Sequence, residues 1–269
     1  MTKAYLIAID LDGTLITNFD NYDRQSFQLL EQLAKEHYVV IATGRPYRSS
    51  IYYYDLLKLN TPIVNYNGAL VQNPHDRRFP KTMITLDRNI IRSLIADNDD
   101  ILINVFCEIE DDIFLWKDTA EIIPYLHISG GTLQIGNLDL ILHGDPNGAI
   151  IIAKPGHEDY LRQYLASTFP NQANIRFWYN ESLAIAEIYH PLTSKGNALA
   201  QIAAYYQIPK ERIIAIGDGH NDIEMIQYAH WGVAMGGAHP DLLKVAKHRT
   251  LSVTDNGVYH YLNNFFKKM

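Results

Sequence analysis

Apolar runs of strand length alternate with helix-period segments at both ends of the chain, and no other feature restricts the fold as much. Such an alternation builds a parallel sheet flanked by helices. Tyr5 to Ile9 predicts a buried strand, Arg24 to Glu36 a helix with Phe27, Leu30, Leu33 and Ala34 at helical spacing, and Tyr38 to Ala42 a second strand. Pro46 opens a helix to about Leu57, since proline is tolerated in a first turn. Ile63 to Tyr66 reads as a third strand, and the turn dipeptide Asn67–Gly68 folds it into a hairpin through Leu70–Val71. The rhythm returns later with a helix over Ser194 to Tyr206, a strand over Arg212 to Ile216 and a helix over Asn221 to Tyr228. A strand over Gly232 to Met235 and a helix over Pro240 to Ala246 follow.

From about Phe79 to about Ile185 the pattern changes. Ile101 to Glu108 and Asp112 to Trp116 read as adjacent strands across an acidic turn, and Ala149 to Ala153, Asn174 to Tyr179 and Leu183 to Ile188 as further strands around a helix from Glu158 to Phe169. The expected fold class is therefore α/β: a Rossmann-like parallel-sheet core formed by residues 1–79 and 186–269, with an α+β domain inserted over residues 80–185. No internal repeat or low-complexity tract is present.

The 269 residues are 47% hydrophobic and 20% charged, a globular composition with enough length for two modest domains. Thirty acidic against 23 basic residues give a net charge of −7, which disfavours nucleic acid or an anionic membrane as partner, so any bound anion is held locally. Cys107 is the only cysteine; no intrachain disulfide can form, and its neighbours Val105 and Phe106 suggest a buried, inert thiol. The N-terminal stretch lacks the pattern of a signal peptide, and no apolar stretch approaches the ~20 residues that span a bilayer. The expected location is the cytoplasm, and the expected assembly a monomer or a dimer.

Four polar clusters stand where ligands of open parallel sheets bind, beyond the carboxyl ends of strands. The first is Asp10–Leu11–Asp12–Gly13–Thr14. It is no calcium loop, because counting from Asp10 places Asn21 at position twelve, where a bidentate glutamate is needed. Thr43–Gly44–Arg45–Pro46 is the second, a hydroxyl and a close-approaching amide at a helix start; they suit an anion and equally an ordinary helix cap. The third, Thr193–Ser194–Lys195–Gly196, sets a cation against the macrodipole in the first turn of a helix. A nearby carboxylate or a bound phosphate would remove that objection; a solvated surface lysine is the other reading. In the fourth, Gly217–Asp218–Gly219–His220–Asn221–Asp222, two acids within five residues match an oxygen-ligand site hard enough for Mg2+, or an acidic turn complementing the next helix. His220 reads as a solvent-facing loop residue.

In this order the four clusters resemble the haloacid dehalogenase (HAD) superfamily of phosphatases, and within it the Cof-type branch, whose cap domain is inserted between the threonine and lysine motifs. Asn65–Tyr66–Asn67–Gly68–Ala69, Val233–Ala234–Met235–Gly236 and Asp255–Asn256–Gly257–Val258 extend the resemblance through both halves of the core; it is weak over the cap. One departure is Gly236–Gly237–Ala238, where such proteins commonly have Gly-Asn-Ala.

The resemblance implies a Mg2+-dependent phosphatase for small phosphorylated metabolites, sugar phosphates above all. It makes Asp10 the nucleophile that forms an aspartyl phosphate, Asp12 the acid for the leaving alcohol and later the base for water, and Lys195 a neutralising cation. By the same resemblance Mg2+ is held by the Asp10 carboxylate, the Asp12 main-chain carbonyl and the Asp218 carboxylate, with Asp222 acting through water or from behind. Thr43, the Gly44 amide and Asn221 would grip phosphate oxygens, and Arg45 is a further candidate for substrate or cap. Gly130–Gly131, Trp116, His127, Trp178 and Tyr179 are the candidates for reaching the site from the cap. A phosphomutase with the same aspartyl phosphate and a binding protein without turnover are the competing expectations. A P-type transport ATPase is excluded by the lack of spanning segments.

Overall fold

The computed structural model describes residues 4–18, 21–178 and 182–268. Its chain divides into two compact units, one of residues 1–45, 50–82 and 194–269, the other of residues 46–49 and 83–193. No helix among the described residues is long and apolar enough to cross a membrane.

The first unit is organised by a five-stranded parallel sheet. Leu6–Ile9 lies at its interior, flanked by Tyr38–Ile41 on one side and by Ile213–Gly217, Trp231–Ala234 and His248–Arg249 in turn on the other. Both faces of the central strands are covered, which is why LIAI and IIAIG are continuous apolar runs. The register pairs Ile9 with Ile216 and with Ile41, so the residues after these strands emerge side by side at one end of the sheet. Leu6, Ala8, Val40, Ile213 and Ala215 form the core with Leu199, Ile202 and Ala203 of the helix Lys195–Tyr206 and Met225 and Ile226 of the helix Ile223–Tyr228.

Strand Ile63–Asn65 joins this sheet edge through a bridge from Val64 to Ala42, and pairs antiparallel with Leu70–Gln72. The turn between them is longer than the two-residue hairpin expected: Tyr66–Gly68 forms a 3-10 turn in which Tyr66 and Asn67 have φ values of 49° and 55°. The helix expected to reach Glu36 runs over Arg24–Leu33 and gives way to a turn. One helix of this unit, Gly257–Lys267, is not among those the sequence predicts. Its aromatic-rich sequence has weak intrinsic helix preference, and its first turn is held from outside, the Tyr259 amide donating to the Ser26 hydroxyl at 2.8 Å.

In the second unit a six-stranded mixed sheet runs in the order Thr132–Ile135, Asp112–Leu115, Leu102–Ile109, Gly148–Ala153, Ala184–Tyr189, Asn174–Trp178. The strand expected to end at Tyr179 is described to Trp178, and Tyr179 lies outside the described residues. Helices Arg88–Asp97 and Glu158–Thr168 cover one face, packing Ile90, Ile91, Leu94, Leu161 and Leu165 on Val105, Cys107 and Ile151. The Arg88–Asp97 helix was missed although its apolar spacing and the Asp87 cap on the Asn89 amide were present in the sequence. Cys107 is fully buried and its thiol is pushed up by that burial, an inert group as expected. Within the same unit the Arg48 guanidinium is buried against Glu108, the His127 carbonyl and Gly131, so His127 contributes its main chain there. Trp116 stacks beneath the Lys117 ammonium, and Trp178 is half exposed beside Tyr125.

Candidate active site

Asp10 follows the interior strand directly, and its amide donates to the Ile216 carbonyl at 3.1 Å. That bond extends the sheet by one residue and brings Asp10 alongside Asp218, which follows the neighbouring strand. Oxygen atoms of Asp10, Asp218 and Asp222 lie within 4.8 Å of one another. Such crowding of carboxylates costs free energy unless cations share the space.

One such cation is Lys195. Its Nζ donates to Asp10 Oδ1 at 2.5 Å and to Asp222 Oδ1 at 2.6 Å, and the side chain is completely buried. This excludes the solvated-surface reading of Lys195 and removes the macrodipole objection, because two carboxylates surround the ammonium. Burial alone would lower the Lys195 pKa, but Asp10 and Asp222 overcome it and hold the group charged. Burial raises Asp10 well above the carboxylate range, with Lys195 pulling it down and Asp222, Asp218 and Asp12 pushing it up. Asp218 is raised to about 6 by burial and then by Asp222.

The acids differ in what their oxygens do. Asp222 Oδ2 accepts from the amides of Asp218 and Gly219, at 3.0 and 2.9 Å, while Oδ1 accepts from Lys195. Both oxygens therefore brace the loop and the lysine. Asp218 Oδ1 accepts from the Thr14 hydroxyl at 2.9 Å, and Gly13 makes room beside it: a Cβ there would stand 2.3 Å from Asp218 Oδ2. Gly13 has a φ of 79°, so its lack of a side chain serves both the backbone and the acid. Asp10 and Asp218 offer hard oxygen donors in a close acidic cluster, a donor set that suits Mg2+ rather than a softer ion. The Asp12 side chain turns elsewhere, to a forked pair with Arg45.

Thr43 and Gly44 follow the strand Tyr38–Ile41, which the Ala42 amide extends by donating to the Ile9 carbonyl at 2.9 Å. The Thr43 hydroxyl accepts from the Arg45 amide at 3.1 Å, a Ser/Thr turn ahead of the helix Tyr47–Leu56 rather than a cap on it. Asn221 is tied to this side by Asn67: Asn221 Nδ2 donates to Asn67 Oδ1 at 2.9 Å, and the Asn67 amide donates to the Thr43 carbonyl at 3.0 Å. Asn67 also fills the space beside Gly44, where a Cβ would meet its Oδ1 at 3.1 Å. In the sequence Asn67 reads as a turn residue and as part of the run that extends the family resemblance, with no site role; the signal for one is an Asn-Gly pair directly after a strand end, where ligand sites lie. Thr14 was likewise passed over as part of a motif. His220 is exposed and packs edge to face on His239.

The chain is similar to known proteins over nearly its whole length. The family model for haloacid dehalogenase-like hydrolases matches residues 7–262. A relative from Bacillus subtilis (strain 168), named 5-amino-6-(5-phospho-D-ribitylamino)uracil phosphatase, is 34% identical over 267 residues, 98% of each chain. Among solved structures, a haloacid dehalogenase-like hydrolase from Bacteroides thetaiotaomicron superposes with a TM-score of 0.82 at 22% identity, covering 98% of this chain and 100% of that one. A subclass IIB sugar phosphatase superposes at 0.80 with 19% identity, over 97% of this chain and 99% of that one. A mixed α/β fold around a parallel sheet, acids and a lysine gathered at the strand ends, and a family match along nearly the whole chain agree: the protein belongs to the haloacid dehalogenase-like hydrolases, as one of their phosphatases.

Proposed function

We propose that the protein is a Mg2+-dependent phosphatase that hydrolyses small phosphorylated metabolites, sugar or polyol phosphates in particular, through an aspartyl phosphate on Asp10. The buried contact of Lys195 with Asp10 carries the reading. An acid that only capped a turn has no use for a desolvated ammonium, whereas a carboxylate that must approach a phosphate dianion does.

In the first half-reaction an Asp10 oxygen bonds to phosphorus and the bond from phosphorus to the leaving oxygen breaks. That oxygen keeps the electron pair and takes a proton from Asp12. In the second half a water oxygen bonds to phosphorus, the bond to Asp10 breaks, and the water proton passes to Asp12. Lys195 holds one Asp10 oxygen in place throughout, and Asp222 holds Lys195. Thr43, the Gly44 amide and Asn221 bind phosphate oxygens, with Asn67 fixing Asn221. Mg2+, held by the Asp10 and Asp218 carboxylates and the Asp12 carbonyl, supplies positive charge that offsets the repulsion between nucleophile and phosphate. Residues 80–185 serve as the cap domain in which leaving-group selectivity is encoded, and the enzyme works in the cytoplasm.

The test is release of inorganic phosphate from a panel of sugar phosphates, nucleotides, pyridoxal phosphate and 4-nitrophenyl phosphate, with Mg2+, with EDTA, and with Asp10→Asn. The phosphorylated ribityl-aminouracil on which the Bacillus relative is named to act belongs at the head of that panel. Release that needs the metal and vanishes with Asp10→Asn supports the reading. Isomerised sugar phosphate without free phosphate, or no turnover by a folded protein with metal bound, overturns it.

A further inference from the structure

Arg45 grips Asp12 with a fork. Nε donates to Asp12 Oδ2 at 2.7 Å and Nη2 to Oδ1 at 2.6 Å, so both carboxylate oxygens are taken by one planar group. The two partners differ in freedom. The Asp12 side chain is 53% exposed and, left alone, would turn freely about its bonds, whereas the Arg45 side chain is only 11% exposed. Arg45 is also anchored along its length. Its amide donates to the Thr43 hydroxyl, and its carbonyl accepts from the Tyr66 amide at 3.2 Å and from Asn65 Nδ2 at 3.0 Å. Its guanidinium carbon lies 5.9 Å from the centre of the Tyr53 ring, which is fully buried. An ordinary surface pair, loose on both sides, would not be built this way.

We infer that Arg45 is a positioning residue for proton transfer by Asp12: the guanidinium sets the rotation of the carboxylate, so that one oxygen is aimed at the leaving oxygen of the substrate and later at water. This inference rests on the phosphatase reading above. When Asp12 carries the proton, that oxygen becomes the O–H donor toward the substrate and the other oxygen keeps its bond to the guanidinium. Once the proton has gone to the leaving oxygen, both bonds close again until water returns a proton. Lysine cannot do this, because an ammonium is a point donor that leaves the carboxylate free to rotate. The first half-reaction therefore depends on Arg45 only where the leaving oxygen needs a proton. An alkoxide needs one; 4-nitrophenolate departs as the anion.

The experiment compares kcat/KM, which reports the steps through release of the leaving group, for a sugar phosphate and for 4-nitrophenyl phosphate. It uses wild type, Arg45→Lys, Arg45→Ala and Asp12→Asn. A misplaced general acid costs about 100-fold or more, so both Arg45 variants are expected to lose about that factor on the sugar phosphate and less than about fivefold on the aryl ester, the same pattern expected of Asp12→Asn. They should also show a burst of one 4-nitrophenolate per site, because hydrolysis of the phosphoenzyme still needs Asp12 to accept a proton. Equal losses on the two substrates would mean that Arg45 binds phosphate or supports the fold, and would overturn the inference while leaving the phosphatase reading intact. Should Arg45→Ala fail to fold, Arg45→Lys decides the matter alone. A wild type that turns over neither compound removes the phosphatase reading and this inference together.

Discussion

Nζ of Lys195 and Oδ1 of Asp10, both on buried side chains, stand 2.5 Å apart although the residues are 185 positions apart in the chain. The contact fixes the first turn of one helix against the end of the interior strand and determines how the site responds to change. Lys195→Met would leave Asp10 and Asp222 facing each other without a cation. Removing one partner of a buried ion group costs about 3–5 kcal/mol, so denaturant unfolding should lose about that much and phosphate release should vanish. Asp10→Asn keeps an acceptor for the ammonium; it should unfold nearer to wild type while being equally inactive. A Lys195→Met protein as stable as wild type would contradict the ion-triad account.

Thr14 holds Asp218 through one hydroxyl and is itself fully buried. Thr14→Val preserves shape and deletes only that bond. Groups that orient a metal-binding carboxylate typically contribute ~10–100-fold in metal affinity. The Mg2+ concentration giving half-maximal activity should rise by at least about tenfold, with kcat at saturating metal changed much less. An unaltered Mg2+ titration would mean that the hydroxyl does not orient Asp218.

Asn67 combines a left-handed backbone with the bond that holds Asn221. Asn67→Gly retains the backbone freedom and loses the bond; Asn67→Ala loses both. KM should rise by about tenfold in either variant through weaker phosphate binding. Thermal or denaturant unfolding should separate them, alanine costing about 1–2 kcal/mol more than glycine for its left-handed conformation. Identical stabilities would show that the turn relaxes.

His37 offers a pH signature away from the site. Its Nδ1 accepts from the Tyr5 amide at 3.4 Å and its ring stacks on Phe266 at 4.6 Å. Burial lowers its pKa below 6.5, with Glu36 pulling the other way. Between the lowered folded value and 6.5 the unfolded chain binds more protons than the folded one, so stability rises with pH across that window. The contribution is present above pH 6.5 and is lost as pH falls through the folded value. Replacing His37 with Asn, which keeps an acceptor, should flatten the loss of melting temperature on going from pH 7 to pH 5. A variant with the same pH slope as wild type would remove His37 as its source.

Much of the secondary structure could be read from the chain because its causes are local. Runs such as LIAI and IIAIG are apolar at every position and bounded by polar turns, and the helix Lys195–Tyr206 carries its own Ser194 cap. The strand-end rule also indicated where Asp10, Thr43 and Asp218 emerge, since it depends only on strand direction. The helix Gly257–Lys267 was illegible for the opposite reason: its first turn is satisfied by Ser26, more than two hundred residues earlier. Only the tertiary structure decided the states of the charged groups. Whether Lys195 is a solvated surface residue or a buried cation depends on two carboxylates brought from other elements, and whether Arg45 faces solvent or clamps Asp12 depends on Tyr53, Asn65 and Tyr66 closing around it. Patterning is a property of neighbours along the chain, whereas desolvation and Coulomb energy belong to neighbours in space.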